Sequence, residues 1–209
     1  LVLLEKFVTI NKYDRRIYQA ISKIYATLGK IDLAIKYLKI IINEEPENLK
    51  AYSSFLFSLL YSENYNQENY IKYALTFSKK VKIYNEEEKK PLIIKSNKRI
   101  KLGFITPHFD GNSIDGFLED FLNYIDKNTF ELNAFNLNFS DKKSGHLKPL
   151  FNNWYHVAGL NDLELINFIK EKEINILIDL VGHGPNNRLV IFKNRSAPIQ
   201  ISWLGYCNS

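Results

Sequence analysis

Two loops in the second half of the chain carry residue types suited to chemistry. The first follows an apolar run that ends at Thr106, and it contains His108, a residue type whose imidazole can take a proton from a hydroxyl group. The second follows the apolar run 174–180 and reads GHGP at residues 182–185, with Arg188 three residues further on. Glycine lets a backbone approach a ligand closely, and arginine binds a carboxylate through two parallel hydrogen bonds. The two loops predict a ligand crevice at the ends of buried strands.

The elements around these loops alternate between strand and helix from residue 99 to the end of the chain. Such alternation predicts a parallel sheet with helices on both faces, a Rossmann-like lobe. The runs 174–180 and 199–204 are apolar enough to be buried strands. Strands are expected near 99–106, 130–138, 154–157, 174–180 and 199–204, with helices near 114–125, 160–172 and 187–193.

The first half of the chain has the pattern of helical hairpins. Residues 15–48 span 34 positions, the period of a tetratricopeptide repeat, and residues 1–10 look like the last helix of a preceding repeat. From Ala51 the repeat pattern fails, and two longer helices joined at 62–66 are expected instead. A chance helical hairpin is the alternative to the repeat. The expected inner-face positions are Tyr18, Ile21, Ser22 and Tyr25 on one helix and Ala34, Leu38 and Ile41 on the next, with Pro46 as the stop.

Three segments follow from this division. Residues 1–83 are predicted to be tetratricopeptide-like and linking helices, with one full repeat at 15–48. The charged stretch 84–98 is predicted to be a linker, and residues 99–209 to be the Rossmann-like lobe, truncated. Because the chain begins with Leu1 and contains no methionine, we expect it to be a fragment.

Composition narrows the class of protein. The chain is 45% hydrophobic and 24% charged, as globular proteins are, and no apolar run approaches the roughly 20 residues of a membrane span. The positive net charge of +5 comes from the first half, because residues 1–99 include 18 basic and 11 acidic residues. These lysines are scattered along helices, so a solvated surface is expected rather than binding to nucleic acid. A single cysteine, Cys207, favours a reducing cytoplasm.

Several words in the second half resemble one family. They are the segments DLVGHGPNNRL, APIQISWLGY and GFITPHF followed by FLEDFL. These segments are similar to segments of the protein O-linked N-acetylglucosamine transferases, which include the SPINDLY-like enzymes. The resemblance covers residues 99–209 and agrees with the helices before them. It implies an α + α/β fold class: tetratricopeptide-type hairpins followed by one Rossmann-like parallel-sheet lobe of a two-lobed, GT-B-type glycosyltransferase.

The resemblance implies an enzyme activity and its partners. Such enzymes transfer N-acetylglucosamine, or fucose in SPINDLY-like members, from a nucleotide sugar such as UDP-GlcNAc to Ser or Thr of a protein. The anomeric carbon is inverted and neither a metal nor another cofactor is needed. The helices would hold a protein or peptide acceptor. Because the nucleotide sugar is held mainly by a second lobe outside this chain, we expect the chain alone to be inactive. The alternative is a non-catalytic tetratricopeptide scaffold for protein interaction, derived from such an enzyme.

The resemblance also implies site residues. Those expected to line the substrate and donor cleft are Asn112, Gly182, His183, Arg188, Leu204, Gly205 and Tyr206, with His108 as a candidate base. Three ionisable positions of the family have changed, because His108 replaces an aspartate, and Asn112 and Gly116 replace histidines. Gly184 likewise stands for threonine and Cys207 for proline.

Four roles stay open at this point. His108 is either a base or a loop histidine without a catalytic task, and His183 is either a base or a hydrogen-bonded structural histidine. Arg188 either contacts a ligand or holds the cleft together. Asp115 lies near a helix start, and a cap is favoured over a catalyst. Because His146, His156 and His183 lack partners at metal-like spacing, no zinc site is expected.

Overall fold

The computed structural model describes residues 1–10, 13–84, 99–109, 113–140 and 144–205, and for residues 7–10, 113 and 114 it describes the backbone alone. The chain divides into two compact units, the first comprising Leu1–Val81 and the second beginning at Lys82. Most of the predicted linker lies outside the described residues, so the boundaries 1–83, 84–98 and 99–209 remain predictions. Among the described helices, none has the length and apolar character that crossing a bilayer requires.

The described part of the first unit is helical throughout. Its elements are α1 (Val2–Ile10), α2 (Arg15–Thr27), α3 (Ile31–Glu44), α4 (Leu49–Leu59) and α5 (Gln67–Lys80). Helices α2 and α3 form the expected hairpin, and Gly29 makes the turn between them at a φ of +72°. Ile21 and Ala34 are fully buried where the two helices meet, and the Ser22 hydroxyl donates to the Ala34 carbonyl at 3.1 Å.

Most of the expected inner-face positions are confirmed. Tyr25, Leu38 and Ile41 are buried together with the residues at the crossing point. Tyr18 is only half-buried, because its ring lies against those of Tyr13 and Tyr37 rather than in the hairpin core. The hairpin therefore has the pattern that a tetratricopeptide repeat requires.

Helices α4 and α5 follow the repeat as expected, but they are not longer than its helices. They have 11 and 14 residues, against 13 and 14 for α2 and α3. Each begins at an asparagine cap, because the Asn48 side chain accepts from the Ala51 N–H and the Asn66 side chain from the Asn69 N–H. These caps fix the helix starts more sharply than the apolar pattern does.

The second unit is built on one parallel sheet. Its elements are β1 (Ile100–Thr106), α6 (Ser113–Tyr124), β2 (Phe130–Asn136), a 3₁₀ turn (Lys148–Leu150), β3 (Asn153–His156), α7 (Asp162–Glu171), β4 (Ile176–Asp179), α8 (Leu189–Lys193) and β5 (Ile199–Ser202). The strand order is β3-β2-β1-β4-β5, and every neighbouring pair is parallel. The fold class predicted from the sequence is thereby confirmed.

Helices cover both faces of the sheet. Side chains of β1 accordingly alternate between two cores, one on each face. Leu102 and Phe104 pack with Leu118 and Leu122 of α6. Ile105 points to the opposite face, into the core that α7 and α8 share. This alternation holds the carboxyl end of β1 between two helical layers.

Two details of the prediction are wrong. Strand β5 is not buried: Ile199 and Ile201 are 41% and 43% exposed, because β5 has a neighbouring strand on one side only in the described sheet. Helix α8 begins at Leu189 rather than at Asn187. The Asn187 side chain is instead used in the preceding loop, where it donates to the Gly184 carbonyl at 2.9 Å.

Candidate functional site

The strand order switches direction between β1 and β4. From β1 the chain crosses to β2 and then β3 on one side, and it returns to β4 on the other side. The connections after β1 and β4 therefore leave in opposite directions, the arrangement that opens a binding crevice in parallel sheets. Ile105 pairs with Asp179 across the two strands, and the Leu180 N–H donates to the Ile105 carbonyl at 3.2 Å. Both loops singled out by the sequence thus start at adjacent points of one edge.

A buried carboxylate, Asp179, shapes the loop after β4. It is only 4% exposed, and its two oxygens accept from the N–H groups of Val181 at 3.0 Å and Gly182 at 2.7 Å. Burial raises the pKa of Asp179, and the two backbone hydrogen bonds offset part of that effect. Gly182 has a φ of +57°, in the left-handed region that favours glycine. The turn that presents His183 is therefore held by an internal acceptor.

His183 itself lies inside the unit rather than on its surface. It is 4% exposed, and burial lowers the pKa of its imidazole to about 4. The ring is consequently neutral at physiological pH. A neutral, buried imidazole suits a hydrogen-bonding role, which supports the structural alternative for this residue.

Arg188 ends the same loop and is bound to the start of α7. Its Nε donates to Asp162 Oδ1 at 2.6 Å, and its Nη2 donates to the Leu160 carbonyl at 3.0 Å. The Arg188 side chain is 19% exposed and that of Asp162 is 29% exposed. The guanidinium is thus occupied by the protein itself, which supports the role of holding the cleft together.

The segment after β5 closes on the loop after β4. The backbone N–H of Trp203 donates to the Asp179 carbonyl at 2.9 Å, and Leu204 follows at a φ of +58°. A Cβ on Gly205 would lie 2.6 Å from backbone atoms of Leu180 and Val181, so only glycine fits there. The structure therefore brings Leu204 and Gly205 next to the loop that carries Gly182 and His183.

The loop after β1 is anchored by aromatic packing. Phe109 is 1% exposed, and its ring lies 5.7 Å from that of Phe151 and 4.9 Å from that of Trp154. His108 is half-buried beside it, and the backbone N–H of His108 donates to the Thr106 hydroxyl at 3.0 Å. The backbone on both sides of the candidate base is therefore fixed, while the imidazole keeps part of its surface in solvent.

The remaining predicted positions divide into described and undescribed ones. Asn112 and Tyr206 lie outside the described residues, and so does Cys207. Asp115, in the first turn of α6, is 3% exposed. Gly116 is exposed, and a Cβ there would meet no atom within 4 Å. A side chain at position 116 would thus point into open space near the start of α6.

Sequence reasoning missed Asp179. The available signal was a lone acidic residue at the end of the apolar run 174–180, directly before the glycine-containing loop. A carboxylate in such a run has to find buried donors, and the N–H groups that follow a strand end are the nearest ones. Among the described residues, no group of three or more His, Cys, Asp or Glu side chains is arranged to hold a metal ion.

Comparison with known proteins places this arrangement in one family. A probable UDP-N-acetylglucosamine–peptide N-acetylglucosaminyltransferase SPINDLY from Oryza sativa is 29% identical over 125 residues, 54% of this chain and 13% of that protein. Its namesake from Arabidopsis thaliana is 30% identical over 121 residues, 53% of this chain and 13% of that protein. The chain thus spans a small part of the curated relatives it matches.

A solved structure agrees with the fold. The O-GlcNAc transferase of Thermobaculum terrenum, in a K341M mutant, matches with a TM-score of 0.83 at 22% identity, over 98% of this chain and 40% of that one. This likeness supports one lobe of a GT-B-type architecture preceded by helical hairpins. Residues 35–209 match the family model described as Glycosyl transferase family 41. Because that match covers most of the chain, the chain belongs to glycosyl transferase family 41.

Proposed function

We propose that this chain is the helical and acceptor-side part of a protein O-glycosyltransferase that uses a nucleotide sugar such as UDP-GlcNAc. The observation that carries the proposal is the convergence of three loops at one edge of the sheet, where the switch in strand order opens a crevice. The loop that carries Gly182 and His183, together with Leu204 and Gly205, is the proposed wall of this crevice. Asn112 and Tyr206 belong to it by resemblance.

The proposed reaction is the attack of a Ser or Thr hydroxyl on the anomeric carbon of the donor sugar. The oxygen–carbon bond forms as the bond to the diphosphate breaks, and the hydroxyl proton has to go to a base. His108 is the proposed base, because it is the partly exposed histidine on the edge loops of the described residues. His183 is buried, and its pKa of about 4 makes it a weak base, so we propose that it holds the loop rather than taking the proton.

The leaving diphosphate needs cationic or N–H donors, and this part of the chain offers few. Among the described residues of the loops after β1, β4 and β5, Arg188 carries the only guanidinium or ammonium group. That group is already bound to Asp162 and the Leu160 carbonyl. We therefore propose that the nucleotide sugar is bound by a second lobe, and that these 209 residues alone do not catalyse transfer.

Two measurements on the isolated chain test this division of labour. Calorimetry with UDP-GlcNAc should show no tight binding, and labelled UDP-GlcNAc should give no transfer to protein. Micromolar binding or robust transfer by the chain alone would contradict the proposal.

A chimera tests the activity itself. This chain replaces the matching part of the Thermobaculum terrenum enzyme, and transfer of labelled N-acetylglucosamine to protein is then measured. We expect transfer, and we expect His108→Ala to lower its rate by about 10²–10⁴-fold, the usual contribution of a positioned base. His146→Ala is the matched control, since His146 is exposed and lies outside the edge loops.

A second candidate function is a non-catalytic scaffold that binds proteins through its helices. It is favoured by Gly116, which is exposed and unionisable where related enzymes carry a histidine by resemblance. A folded chimera that binds UDP-GlcNAc but transfers nothing would support the scaffold. Under either function we propose a protein or peptide partner and, because of the single cysteine, a cytoplasmic location.

A further inference from the structure

Two fully buried polar side chains end the neighbouring strands β1 and β2. Thr106 and Asn136 are both 0% exposed, and they are partners in the parallel register of the two strands. Because Leu132 and Ala134 of β2 pack into the core that includes α6, the alternation of side chains places Asn136 and Thr106 on that same face. The carboxyl end of this face is therefore polar, whereas the rest of it on β1 and β2 is apolar.

Each of these side chains caps the turn that follows its strand. The Thr106 hydroxyl accepts from the backbone N–H of His108 at 3.0 Å, and Asn136 Oδ1 accepts from the backbone N–H of Asn138 at 2.8 Å. Both bonds join a side chain to the N–H two residues further on, as Thr and Asn side chains do in turns. The loops after β1 and β2 thus begin with the same local geometry.

The two loops are also joined to each other. The Leu137 N–H donates to the Thr106 carbonyl at 3.0 Å, and Asn138 Nδ2 donates to the Pro107 carbonyl at 3.4 Å, a longer and weaker contact. Proline has no N–H, so its carbonyl is the only backbone group through which hydrogen bonds can hold Pro107. The residue before the proposed base is therefore held from the loop after β2.

The amide of Asn136 is costly for the fold. Its Nδ2 is buried and has no hydrogen-bond partner among the described residues. A buried donor without an acceptor lowers stability, which an apolar side chain of similar volume would not do. The polar side chain is explained by its carbonyl oxygen, which fixes the turn from which Asn138 reaches the loop of the proposed base.

These backbone contacts matter because they place the imidazole of His108. Among the described residues, the hydrogen bond of His108 is made by its backbone N–H and not by its ring. The position of the ring therefore follows from the backbone of residues 107–109, which is held by Asn138, by Thr106 and by the packed ring of Phe109. A misplacement of about 1 Å can lower the rate of a reaction by about 10²-fold.

We propose that Thr106 is a positioning residue, whose hydroxyl holds His108 where its imidazole can take the proton of the acceptor hydroxyl. Asn138 supplies a second and weaker support from the loop after β2. The inference rests on the proposed function for the role of His108, but the two contacts belong to the fold. Because the bond to Thr106 is 3.0 Å long and the bond made by Asn138 is 3.4 Å long, loss of the Thr106 hydroxyl should have the larger effect.

Amide hydrogen exchange at His108 tests the contact without any substrate. Thr106→Val removes the hydroxyl, whereas Thr106→Ser keeps it. In the 209-residue chain we expect exchange to be about tenfold faster in Thr106→Val, as loss of one hydrogen bond implies, and near the wild-type rate in Thr106→Ser. Exchange at Leu132, in the buried part of β2, should stay unchanged and shows that the sheet persists.

Thr129→Val is the matched control for the exchange measurement. Thr129 is exposed and precedes β2, at the amino end of the strand, so the same substitution there should leave exchange at His108 unchanged. Equal exchange at His108 in the wild type and in Thr106→Val would overturn the contact.

Turnover of the chimera with the Thermobaculum terrenum enzyme tests the positioning role. Thr106→Val should lower kcat by about tenfold and leave the KM for UDP-GlcNAc unchanged, because a displaced base affects proton transfer and not binding. Thr106→Ser should restore the wild-type kcat, and Asn138→Ala should lower kcat less, by about threefold. An equal fall in kcat for Thr106→Ser, or a raised KM with unchanged kcat for Thr106→Val, would contradict the role.

A double variant separates positioning from an independent effect. Because Thr106 acts through His108 in this proposal, Thr106→Val should cause no further loss of kcat in a His108→Ala background. A further loss of about tenfold would refute the proposal. A chimera that His108→Ala does not slow overturns the positioning role together with the proposed base. A chimera with no activity contradicts the proposed function alone, and exchange at the His108 amide then decides the contact.

Discussion

Replacing Asp179 with alanine should destabilise the second unit more than any exposed acidic substitution. The carboxylate is 4% exposed and accepts from two backbone N–H groups, those of Val181 and Gly182. Each buried donor left without a partner costs about 1–3 kcal/mol, and loss of the buried charge returns part of that. We therefore expect Asp179→Ala to lower the free energy of unfolding by about 3 kcal/mol.

Tryptophan fluorescence measures this change selectively. Both tryptophans, Trp154 and Trp203, lie in the second unit, so their emission during urea unfolding reports on that unit. Asp120→Ala is the matched control, because Asp120 is exposed on α6 and its loss should change stability by less than about 0.5 kcal/mol. Equal midpoints for the two variants would refute the idea that an internal acceptor holds the loop after β4.

The pH dependence of stability provides an independent test that the Asp179 carboxylate is buried. Burial raises the pKa of Asp179 above 3.8, so the unfolded chain releases this proton first as the pH rises. Between the unfolded and the folded pKa the native state binds more protons, and its stability falls with rising pH. Asp179→Asn cannot titrate, so the stability of the wild type relative to this variant should decrease as the pH rises from 3.8. A difference that is flat or increases with pH would contradict the buried carboxylate.

Four further predictions concern other parts of the second unit. Gly205→Ala should destabilise the unit by about 1–3 kcal/mol, because its Cβ would lie 2.6 Å from backbone atoms at the end of β4. Gly116→Ala should stabilise α6 by about 0.5–1 kcal/mol, because a Cβ at that helical position would meet no atom within 4 Å. Urea unfolding measures both changes. A double-mutant cycle of Arg188→Ala and Asp162→Ala should give a coupling energy of about 1–2 kcal/mol, since the pair is mostly shielded from solvent. NMR titration should find the His183 ring neutral down to about pH 4, and the wild type should lose stability relative to His183→Gln as the pH falls from 6.5 towards 4.

The strands and the loops at their carboxyl ends could be predicted because they depend on local patterns. Apolar runs of four to eight residues that end at glycine or proline define buried strands and their exits. The same reasoning failed for β5, since the exposure of Ile199 and Ile201 depends on strand order. Strand order is a property of the whole sheet and is not encoded in any one segment.

The roles of the site residues depend on contacts between distant segments, so the sequence left them open. Arg188 meets Asp162, which is 26 residues away, and no spacing rule predicts that pair. The partners of Asp179 are close in sequence, but their use required knowing that the strand end is buried. Burial likewise decides that His183 is neutral. Residue type and position indicated the candidate site, and tertiary packing determined which contacts each side chain makes there.

The supports of the cleft and its ionisable groups are separate sets of residues. Phe109, Asp179 and Gly205 hold the three loops through ring packing, backbone hydrogen bonds and a close backbone approach. None of these contacts involves His108 or Gly116, two of the positions at which the chain departs from the ionisable groups of the enzymes it resembles. The crevice can therefore keep its shape while its acid–base groups change. Under the proposed function we therefore expect binding in the crevice and removal of the hydroxyl proton to be separable, with only the second depending on His108, the proposed base.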